Sequence, residues 1–569
     1  MPEAPEDSDH FEHSLADEPT DNGDASPASG TVADDGPTAH SGPVESPSQT
    51  LAPKGSWRER WREKRSRQSK LHRRITRTVE VIAVVLFLVI GSSAGYLFYQ
   101  LNSIARVNVK LTPAAKAGTV NILLLGSTSR CAITPAKNFE NFVKQCQDNV
   151  NGVNSDVIMI LRLVPNRTPV LLSIPRDTFL PDARYGGLYN KIDAALANGP
   201  SQLVTAIQQD FGISINHFVL LNFESFANIV TTLGGITMYF PTSLRDVQSG
   251  LLISHSGCLH ISGLEALALV RARHLQYDYN KKTHQWLGYD GSGDIGRIER
   301  IHVFLKVLGQ EVARRGLGNP VTDSSLLSTI APDLTLDTTF GNREIINLLL
   351  GYHSKIASVT DLTLPIVEDT QTYYYKGYNY GYIVFPTQPQ DQSTIDQFTG
   401  GSLGGASVHP LSVTVSVVNG TSNPKAGSVM AAGLRGLGFK VTEATSRNPV
   451  GSIVETTVDY ANPSHLGEAE RVLRSLSGVA VLAQTPTVGG ADVTVVTGTD
   501  VAVTGASSIK TSAAPITAST PFEASIIDSM LLSALGNSSS TTTTNPALAS
   551  PTTAATSIAP YDPRACPTS

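Results

Sequence analysis

Charged side chains follow a predicted strand in the middle of this chain. Val170 to Ile174 is a short apolar run with the β-branched content of a buried strand, and Pro175 ends it because proline has no backbone N–H to donate. Arg176 and Asp177 therefore lie at a strand tip, and Lys191 follows a polar, Gly-rich loop. Taken alone, this trio favours a surface ion pair beside a turn.

Two further predicted strands carry charges near their ends. Arg130 follows the apolar run Val120 to Leu125, and Asp156 directly precedes the run Val157 to Leu163. Strands and helices alternate from here onward, which predicts an α/β domain with the sheet inside. In such folds ligand-handling groups collect at strand ends, so these side chains are candidate site residues.

A short predicted helix delivers another pair of arginines. Ser262 and Glu265 have the S-x-x-E spacing of a capping box, which predicts that a helix begins here. Arg271 and Arg273 follow it, and they point to the same side if the chain is extended at that point.

The next predicted helix begins with a carboxylate. Asp294 stands where an N-cap is expected, and Arg297 and Arg300 share one face of a helix whose other face is apolar. Two solvated arginines on a helix are ordinary when considered by themselves.

The N-terminal region predicts a membrane anchor. Residues 1–53 are acidic without Lys or Arg, and 57–77 are strongly basic. Residues 79–99 are apolar apart from Glu80 and a few small polar residues. A run of about 20 apolar residues spans a bilayer core. A cleavable signal peptide is the alternative, but its charged region would be much shorter. The basic cluster predicts a cytoplasmic N terminus, a single-pass transmembrane helix over 79–99 and an extracytoplasmic remainder in the cell membrane.

Taken together, the charges suit a phosphate-bearing ligand. Arginine binds phosphate through two parallel hydrogen bonds, and carboxylates can hold magnesium beside a pyrophosphate or act as a general base. The sequence has no H-E-x-x-H motif or P-loop, which disfavours zinc and nucleotide chemistry. An extracytoplasmic location disfavours nucleic acid as the partner.

The C-terminal part divides by composition. Residues 387–411 are rich in Gln, Gly, Ser and Pro and predict a linker. Residues 412–500 show a β-α-β-β-α-β order, which predicts a small α+β domain. Residues 501–569 are rich in Ser, Thr, Ala and Pro and predict a disordered tail, within which 526–535 could form one short helix.

Four cysteines lie on the predicted outer side, where disulfides are the default. Four thiols allow three pairings. We favour Cys131 with Cys146 because they bracket one loop, and we leave Cys258 and Cys566 unassigned. Four free thiols are the alternative.

At these residues the chain resembles the LytR-CpsA-Psr family, in its actinobacterial form. The segments NILLLGSTSR, NSDVIMILRL, LLSIPRDTFLPD with YNKIDAA, LGGI, GLEALALVRARH and GDIGRIER occur in the family's order and approximate spacing. They cover residues 116–386, and residues 412–500 resemble the LytR C-terminal domain. The resemblance implies an α/β/α sandwich with a central mixed sheet and a hydrophobic tunnel for a polyprenyl chain.

The resemblance also implies an enzyme. The expected activity is a Mg²⁺- or Mn²⁺-assisted phosphotransferase that moves a glycopolymer from a polyprenyl-pyrophosphate carrier to peptidoglycan and releases polyprenyl phosphate. Arabinogalactan is the favoured polymer, with teichoic-acid-like and capsular polymers open. The alternatives are a non-catalytic polyprenyl-phosphate-binding scaffold or regulator, and a simple pyrophosphatase.

The expected roles fall on particular residues. Catalytic roles are expected for Arg176, Asp294, Arg297 and Arg300. Pyrophosphate binding is expected for Arg130, Asp177, Lys191, Arg271 and Arg273. Asp156 matches a metal-ligand carboxylate, and Asp294 would orient Arg297 or accept the proton of an attacking sugar hydroxyl.

Three positions depart from the family pattern. Thr128 stands where many members have an aspartate, so one magnesium ligand is either missing or replaced, with Asp148 as the candidate replacement. Ile301 occupies a common Gln position, and Asp193 replaces the Asn of the K-I-N motif. The first departure bears on the metal, and the other two bear on substrate fit.

Overall fold

A computed structural model describes residues 57–114, 118–127, 154–185, 187–315, 328, 331–352, 355, 358–401, 404–446, 453–504 and 559–567. The chain divides into two compact units, of which the first ends at Ala83 and the second begins at Val84. Several predictions fall outside the described residues, namely those on the acidic arm, Thr128, Arg130, Asp148, the Cys131–Cys146 pair and the helix at 526–535.

The first helix, α1 (Trp57–Ser103), contains both the basic cluster and the apolar run of the N-terminal region. Within the part of the chain that the structure describes, no helix combines the length and the apolarity that crossing a membrane requires. The membrane anchor over 79–99 stays a prediction.

The elements of the larger domain follow in chain order. They are β1 (Ala105–Val107), β2 (Val120–Ser127), β3 (Ser155–Leu163), β4 (Val170–Ser173), β5 (Phe179–Tyr185), β6 (Leu188–Lys191), the 3-10 helix Ile192–Asn198, α2 (Pro200–Phe211), β7 (His217–Asn222), α3 (Phe223–Thr232), β8 (Ile236–Phe240), β9 (Leu244–Asp246), β10 (Leu251–Ile253), β11 (Gly257–Ile261), α4 (Gly263–Arg271), β12 (Gln276–Asn280), β13 (Gln285–Tyr289), α5 (Gly293–Arg315), β14 (Leu334–Asp337), α6 (Asn342–Tyr352), β15 (Thr360–Thr363), β16 (Ile366–Tyr375) and β17 (Tyr378–Gln388).

Seven strands form a mixed central sheet in the order β1-β14-β7-β2-β3-β4-β15. Strand β2 pairs parallel with β7 and antiparallel with β3, and β3 pairs antiparallel with β4. The end of β2, the start of β3 and the end of β4 therefore meet at one edge of the sheet. This edge carries several of the predicted site residues.

The sheet is buried on both faces, as the continuous apolar strands predict. Ile158 and Ile160 pack with α2 in one hydrophobic cluster, whereas the intervening Met159 packs with α3, α4 and α5 in another. Successive side chains of a strand point to opposite faces of the sheet. Alternate residues of β3 therefore pack against the helices on both sides. The predicted α/β/α sandwich with a mixed sheet is confirmed.

The C-terminal elements are α7 (Gln390–Thr399), β18 (Thr414–Asn419), α8 (Ala426–Gly436), β19 (Lys440–Ser446), β20 (Thr456–Tyr460), α9 (Leu466–Leu473), β21 (Leu476–Ala483), β22 (Val493–Thr497) and β23 (Val501–Val503). The apolar run from Val479 to Ala483 is strand, buried between neighbours.

The predicted linker over 387–411 is wrong. Strand β17 continues to Gln388 and pairs with β21 at Thr387↔Val479, so one sheet runs from the larger domain into the smaller one. Helix α7 follows directly, and it buries polar Asp391 and Gln392 together with Ile395 and Phe398. The polar residues on its buried face hid this helix from a reading based on apolar periodicity.

The far C terminus is also partly ordered, against the predicted disordered tail. Residues 559–567 pack on the larger domain, where the backbone of Arg564 bridges to that of Tyr239. Cys566 forms a disulfide with Cys258 of β11, 308 residues away along the chain. The two cysteines that the sequence left unassigned are therefore partners.

Candidate active site

The candidate site lies at the sheet edge where β3 begins and β4 ends. Asp156 is the second residue of β3, and Arg176 and Asp177 follow β4 after Pro175. Strand β17 closes this edge, since the backbone N–H of Val384 donates to the Asp177 carbonyl at 3.0 Å. The strand-tip placement predicted from the sequence is confirmed for these three residues.

Three further elements reach the same edge. Lys191 ends β6, Arg273 follows α4, and Asp294 and Arg297 lie in the first two turns of α5. Helix α5 begins at Gly293, so Asp294 stands inside its first turn rather than at the N-cap. A carboxylate there interacts favourably with the positive end of the helix dipole.

The side chains form one continuous ion-pair network. Lys191 Nζ lies 3.0 Å from Asp177 Oδ1, and Arg273 Nη2 lies 3.4 Å from Asp177 Oδ2. Arg273 Nε reaches Asp294 Oδ1 at 3.3 Å, and Arg297 Nη2 reaches the same oxygen at 2.8 Å. One carboxylate thus collects two cations from different elements.

Arg176 and Arg297 complete the network through their contacts with Asp156. Arg176 pairs with Asp156 through Nη1 and lies 3.5 Å from Asp177 through Nε. Arg297 Nη2 donates to the backbone carbonyl of Asp156 at 2.6 Å. We call the seven residues the anion cluster; they are Asp156, Arg176, Asp177, Lys191, Arg273, Asp294 and Arg297.

Exposure within the anion cluster is uneven. The side chains of Arg176, Lys191 and Arg273 are 20%, 21% and 29% exposed. Those of Asp294 and Arg297 are 5% and 3% exposed. Three cations therefore present a face to solvent while carboxylates behind them fix their positions, which suits an incoming anion with several oxygens.

Burial and charge act against each other in the pKa values of the cluster. Burial alone would lower the pKa of Arg176, but Asp156 and Asp177 raise it above its ordinary value. Burial alone would raise the pKa of Asp177, but Arg176 and Lys191 lower it. Both groups are therefore held in their charged forms.

Asp193 behaves differently from its neighbours. Its pKa is raised to about 7, first by burial and then by the negative charge of Asp177, against the opposing effect of Arg176. Its backbone N–H donates to the Arg176 carbonyl at 3.1 Å, so the group lies directly beside the anion cluster. The sequence analysis noted this position only as a departure from the K-I-N motif.

Arg300 has a different environment from Arg297, although the sequence placed both on one helix face. Its side chain is fully buried, and its Nη1 lies 2.8 Å from Asp290 Oδ2 and 3.0 Å from Asp562 Oδ1. Its Nη2 donates to the Ala272 carbonyl at 2.9 Å. Arg300 therefore binds protein groups behind the anion cluster rather than presenting its fork to a ligand.

Arg271, the last residue of α4, is half-buried and lies one residue before Ala272. Arg130 lies outside the described residues. The anion cluster thus brings together seven of the ten site residues predicted from the sequence, and the exceptions are Arg130, Arg271 and Arg300.

Tyr382 of β17 is a neighbour that the sequence did not single out. Its pKa is raised by burial, by Glu368, which accepts a hydrogen bond from the hydroxyl group, and by the charges of Asp177 and Asp294. The side chain is 40% exposed. The available signal was its position two residues before Val384, which can be recognised only once the β17 pairing is known.

A divalent metal held by protein side chains alone needs several His, Cys, Asp or Glu residues that point to one place. Among the described residues, no group of three His, Cys, Asp or Glu side chains is arranged to hold a metal ion. Asp156, the predicted ligand, pairs with Arg176 instead. Magnesium usually retains several waters and substrate phosphates, so one protein carboxylate can suffice. The protein side chains of the described residues do not by themselves complete a metal site.

Comparison with known protein families places the chain. The LytR_cpsA_psr family profile matches residues 98–388, more than half of the chain. The chain belongs to the LytR-CpsA-Psr family. A second profile, described as LytR cell envelope-related transcriptional attenuator, matches residues 412–500.

Relatives in this family include cell-wall proteins. The chain is 29% identical over 235 residues to a probable cell wall biosynthesis protein LcpB of Corynebacterium glutamicum, covering 40% of this chain and 51% of that protein. It is 31% identical over 161 residues to the polyisoprenyl-teichoic acid–peptidoglycan teichoic acid transferase TagV of Bacillus subtilis, covering 27% and 38%. The chain thus spans about half the length, or less, of these relatives.

Among solved structures, a LytR-Csp2A-Psr enzyme from Actinomyces oris is similar to this chain. The identity is 24%, the match covers 52% of this chain and 95% of that one, and the TM-score is 0.39.

Proposed function

We propose that this LytR-CpsA-Psr protein transfers a glycopolymer from a polyprenyl-pyrophosphate carrier onto peptidoglycan. The observation that carries the proposal is the anion cluster, in which three partly exposed cations surround buried carboxylates at one edge of the sheet. The TagV relative, named as a polyisoprenyl-teichoic acid–peptidoglycan transferase, supports this substrate class. Arabinogalactan is our proposed polymer, and its support is the actinobacterial character of the motifs.

The proposed step is a phosphoryl transfer. A sugar hydroxyl of peptidoglycan attacks the phosphorus that bears the glycopolymer, and a new P–O bond forms. The bond from that phosphorus to the bridging oxygen breaks, and polyprenyl phosphate leaves with the electron pair. The hydroxyl proton passes to a carboxylate, for which Asp294 is our candidate.

The anion cluster suits this step for an electrostatic reason. Negative charge moves onto the bridging and equatorial oxygens as the bond to the leaving group breaks. Guanidinium groups that are already held in place stabilise that charge without reorganising at the moment of reaction. Asp156, Asp177 and Asp294 hold Arg176, Arg273 and Arg297 in this way.

The test uses the purified full chain, a lipid-pyrophosphate-linked glycan, a peptidoglycan acceptor and a divalent metal, and it scores a new phosphodiester. Arg176→Ala should remove transfer while the circular dichroism spectrum is retained. Arg167→Ala is the matched control, because Arg167 is an exposed arginine on a turn. Binding of the donor without transfer in the unmodified chain would instead favour the scaffold or regulator.

We further propose magnesium, or manganese, as the metal of this reaction. Asp156 is the described carboxylate that would take part, together with substrate phosphates and water. Transfer should fall on chelation and recover on adding Mg²⁺ or Mn²⁺. Equal rates in chelator and in metal would contradict this proposal.

We also propose that residues 79–99 anchor the chain in the cell membrane, with the N terminus in the cytoplasm and the remainder outside. The support is the sequence, in which a basic cluster precedes an apolar run. Cysteine-labelling of intact cells with an impermeant reagent tests the orientation. Labelling at Arg167→Cys but not at Ser48→Cys is expected, and the reverse pattern would contradict it.

A further inference from the structure

The C-terminal segment 559–567 lies beside the candidate site rather than away from the domain. The Arg564 N–H donates to the Tyr239 carbonyl at 2.9 Å, and the Tyr239 N–H donates to the Arg564 carbonyl at 2.8 Å. Tyr561 stacks on Tyr277 with ring centroids 4.1 Å apart. The disulfide to Cys258 then fixes the end of the segment. We call residues 559–567 the C-terminal strap.

The strap inserts one carboxylate into the interior. Asp562 is 2% exposed, and its Oδ1 lies 3.0 Å from Arg300 Nη1. Asp290 occupies the other side of the same nitrogen at 2.8 Å, and it also accepts a hydrogen bond from the Tyr561 hydroxyl. The strap therefore holds Arg300 in two ways. Asp562 pairs with it directly, and Tyr561 bonds Asp290, which also pairs with it.

Arg300 connects this buried group to the anion cluster. Its Nη2 donates to the Ala272 carbonyl at 2.9 Å, and Ala272 lies between Arg271 and Arg273. Arg273 in turn lies between the carboxylates of Asp177 and Asp294. A chain of direct contacts thus runs from Asp562 to a cation of the candidate active site.

We propose that Asp562 is a positioning residue for the transfer reaction, acting through Arg300 to fix the backbone that carries Arg271 and Arg273. This inference rests on the proposed function. Phosphoryl transfer depends on the placement of cations around the moving charge, and a small displacement of a positioning group lowers the rate. When a buried guanidinium loses one of its two carboxylates, its charge is poorly compensated. The group then shifts toward solvent or toward the remaining carboxylate.

The disulfide helps Asp562 to reach Arg300, although the two residues are far apart in the sequence. Asp562 and Arg300 are 262 positions apart, so an untethered tail would lose considerable conformational entropy in placing the carboxylate. Cys258 lies opposite Tyr239 in the β8–β11 pair, and Tyr239 also bonds the strap. The covalent link and the backbone bridge therefore hold the same short stretch.

The experiment compares variants of the full chain in the transfer assay. Asp562→Asn should lower kcat about tenfold with a smaller change in donor KM, because the cations are displaced relative to the transition state. Asp562→Glu should recover part of the loss, because it restores the carboxylate. Arg564→Ala is the matched control, since Arg564 bridges to Tyr239 through its backbone and its side chain is exposed.

A second arm separates positioning from stability. Cys566→Ser should lower kcat to a similar extent, and adding Asp562→Asn to it should cause little further loss. Rates are expressed per folded molecule, using the unfolding transition of each variant. Independent, additive losses, or a kcat per folded molecule equal to that of the unmodified chain, would overturn the inference.

The test also distinguishes this inference from the proposed function. If the unmodified chain shows no transfer, the proposed function fails, and binding of inorganic pyrophosphate decides the inference. Asp562→Asn should then raise the Kd for pyrophosphate about tenfold, or 1.4 kcal/mol, relative to Arg564→Ala. An unchanged Kd would overturn it.

Discussion

Arg297 and Arg300 lie one turn apart on α5 and do different things. Arg297 joins Asp294 at 2.8 Å and the Asp156 carbonyl at 2.6 Å, within the anion cluster. Arg300 joins Asp290 and Asp562 in an interior group that also holds the Ala272 carbonyl. Spacing placed both arginines on one helix face, and the family resemblance implied a catalytic role for both.

The difference lies in what surrounds each guanidinium. Arg297 is itself only 3% exposed, but it belongs to a cluster that contains partly exposed cations. An added anion can approach those cations, which are Arg176, Lys191 and Arg273, without displacing a protein carboxylate. Arg300 has two fixed carboxylates and a carbonyl, and burial makes each of these contacts expensive to break. The first arrangement serves a ligand, and the second holds the backbone on which the first depends.

The largest expected effect is on transfer by Arg297→Ala. The change should lower kcat about 10³-fold, equal to about 4 kcal/mol of transition-state stabilisation, because a prepositioned cation is lost. Asp294 keeps Arg273 as a neighbour at 3.3 Å, so the fold should survive. Rates and the unfolding transition of the same preparation check this prediction.

The matched control is Arg245→Ala, which removes an arginine that bonds Gln276 and lies over Trp286. Its transfer rate should equal that of the unmodified chain. A rate for Arg297→Ala within tenfold of this control would remove Arg297 from the active site.

Arg300→Ala should act first on stability. It leaves Asp290 and Asp562 buried without their shared cation, which should lower the free energy of unfolding by about 3 kcal/mol. Arg300→Lys should recover part of this loss, because it keeps the charge but donates from a single nitrogen. Arg300 reaches the two carboxylates through Nη1 and the Ala272 carbonyl through Nη2. Denaturant unfolding at fixed protein concentration measures both values.

The proposed difference between the two arginines would be wrong if Arg300→Ala affected activity and not stability. If Arg300→Ala unfolds like the unmodified chain and loses only activity, Arg300 acts on the ligand. In that case its contacts with Asp290 and Asp562 would have to open when the donor binds.

Much of the larger domain could be predicted from local patterns. Strand β2 begins at Val120, as the apolar run Val120 to Leu125 predicted, and continues to Ser127. The capping box at Ser262 and Glu265 is present, with hydrogen bonds in both directions. Arg176, Asp177 and Lys191 were grouped correctly because proline and short loops limit where strand ends can go.

Other features depend on contacts that local patterns do not encode. Helix α7 buries Asp391 against the smaller domain, so its polar composition resembled a linker. The strap is a short segment after a long Ser- and Thr-rich stretch, and only the disulfide and the Asp562–Arg300 pair reveal its place. The separate roles of Arg297 and Arg300 follow from those partners.

Gly296→Ala changes a residue of α5 that lies next to Arg297 in the sequence and close to the Asp290–Arg300 pair in space. A Cβ atom at this position would lie 2.9 Å from Asp290 Oδ2 and 3.2 Å from Arg300 Nη1, and closer still to Ser292 Oγ. The clash should cost about 1–3 kcal/mol in the free energy of unfolding, because Asp290 and Arg300 are buried and cannot move aside as the exposed Ser292 can.

The control for Gly296→Ala is Gly291→Ala, where an added Cβ meets no atom within 4 Å. That variant should unfold within about 0.5 kcal/mol of the unmodified chain. Equal losses for both glycines would show that helix start geometry, rather than crowding at Asp290 and Arg300, limits this position.

The smallest expected effect is a pH dependence that belongs to the anion cluster and not to Arg300. Burial and Asp177 raise the pKa of Asp193 to about 7. Below that pH the carboxyl is neutral, and above it a negative charge appears beside Arg176. Donor KM should therefore rise about three- to tenfold between pH 6 and pH 8, since tenfold corresponds to 1.36 kcal/mol.

Asp193→Asn should flatten this profile and also change stability with a defined sign. A raised folded-state pKa means that the folded chain binds more protons than the unfolded one, so Asp193 causes stability to fall as pH rises from the ordinary Asp value toward 7. The variant lacks that fall. Asp278→Asn, at an exposed aspartate, should keep the original profile of donor KM. If Asp193→Asn retains the rise in KM, the titrating group lies elsewhere, and the proton on Asp193 has no bearing on how the anion cluster holds its ligand.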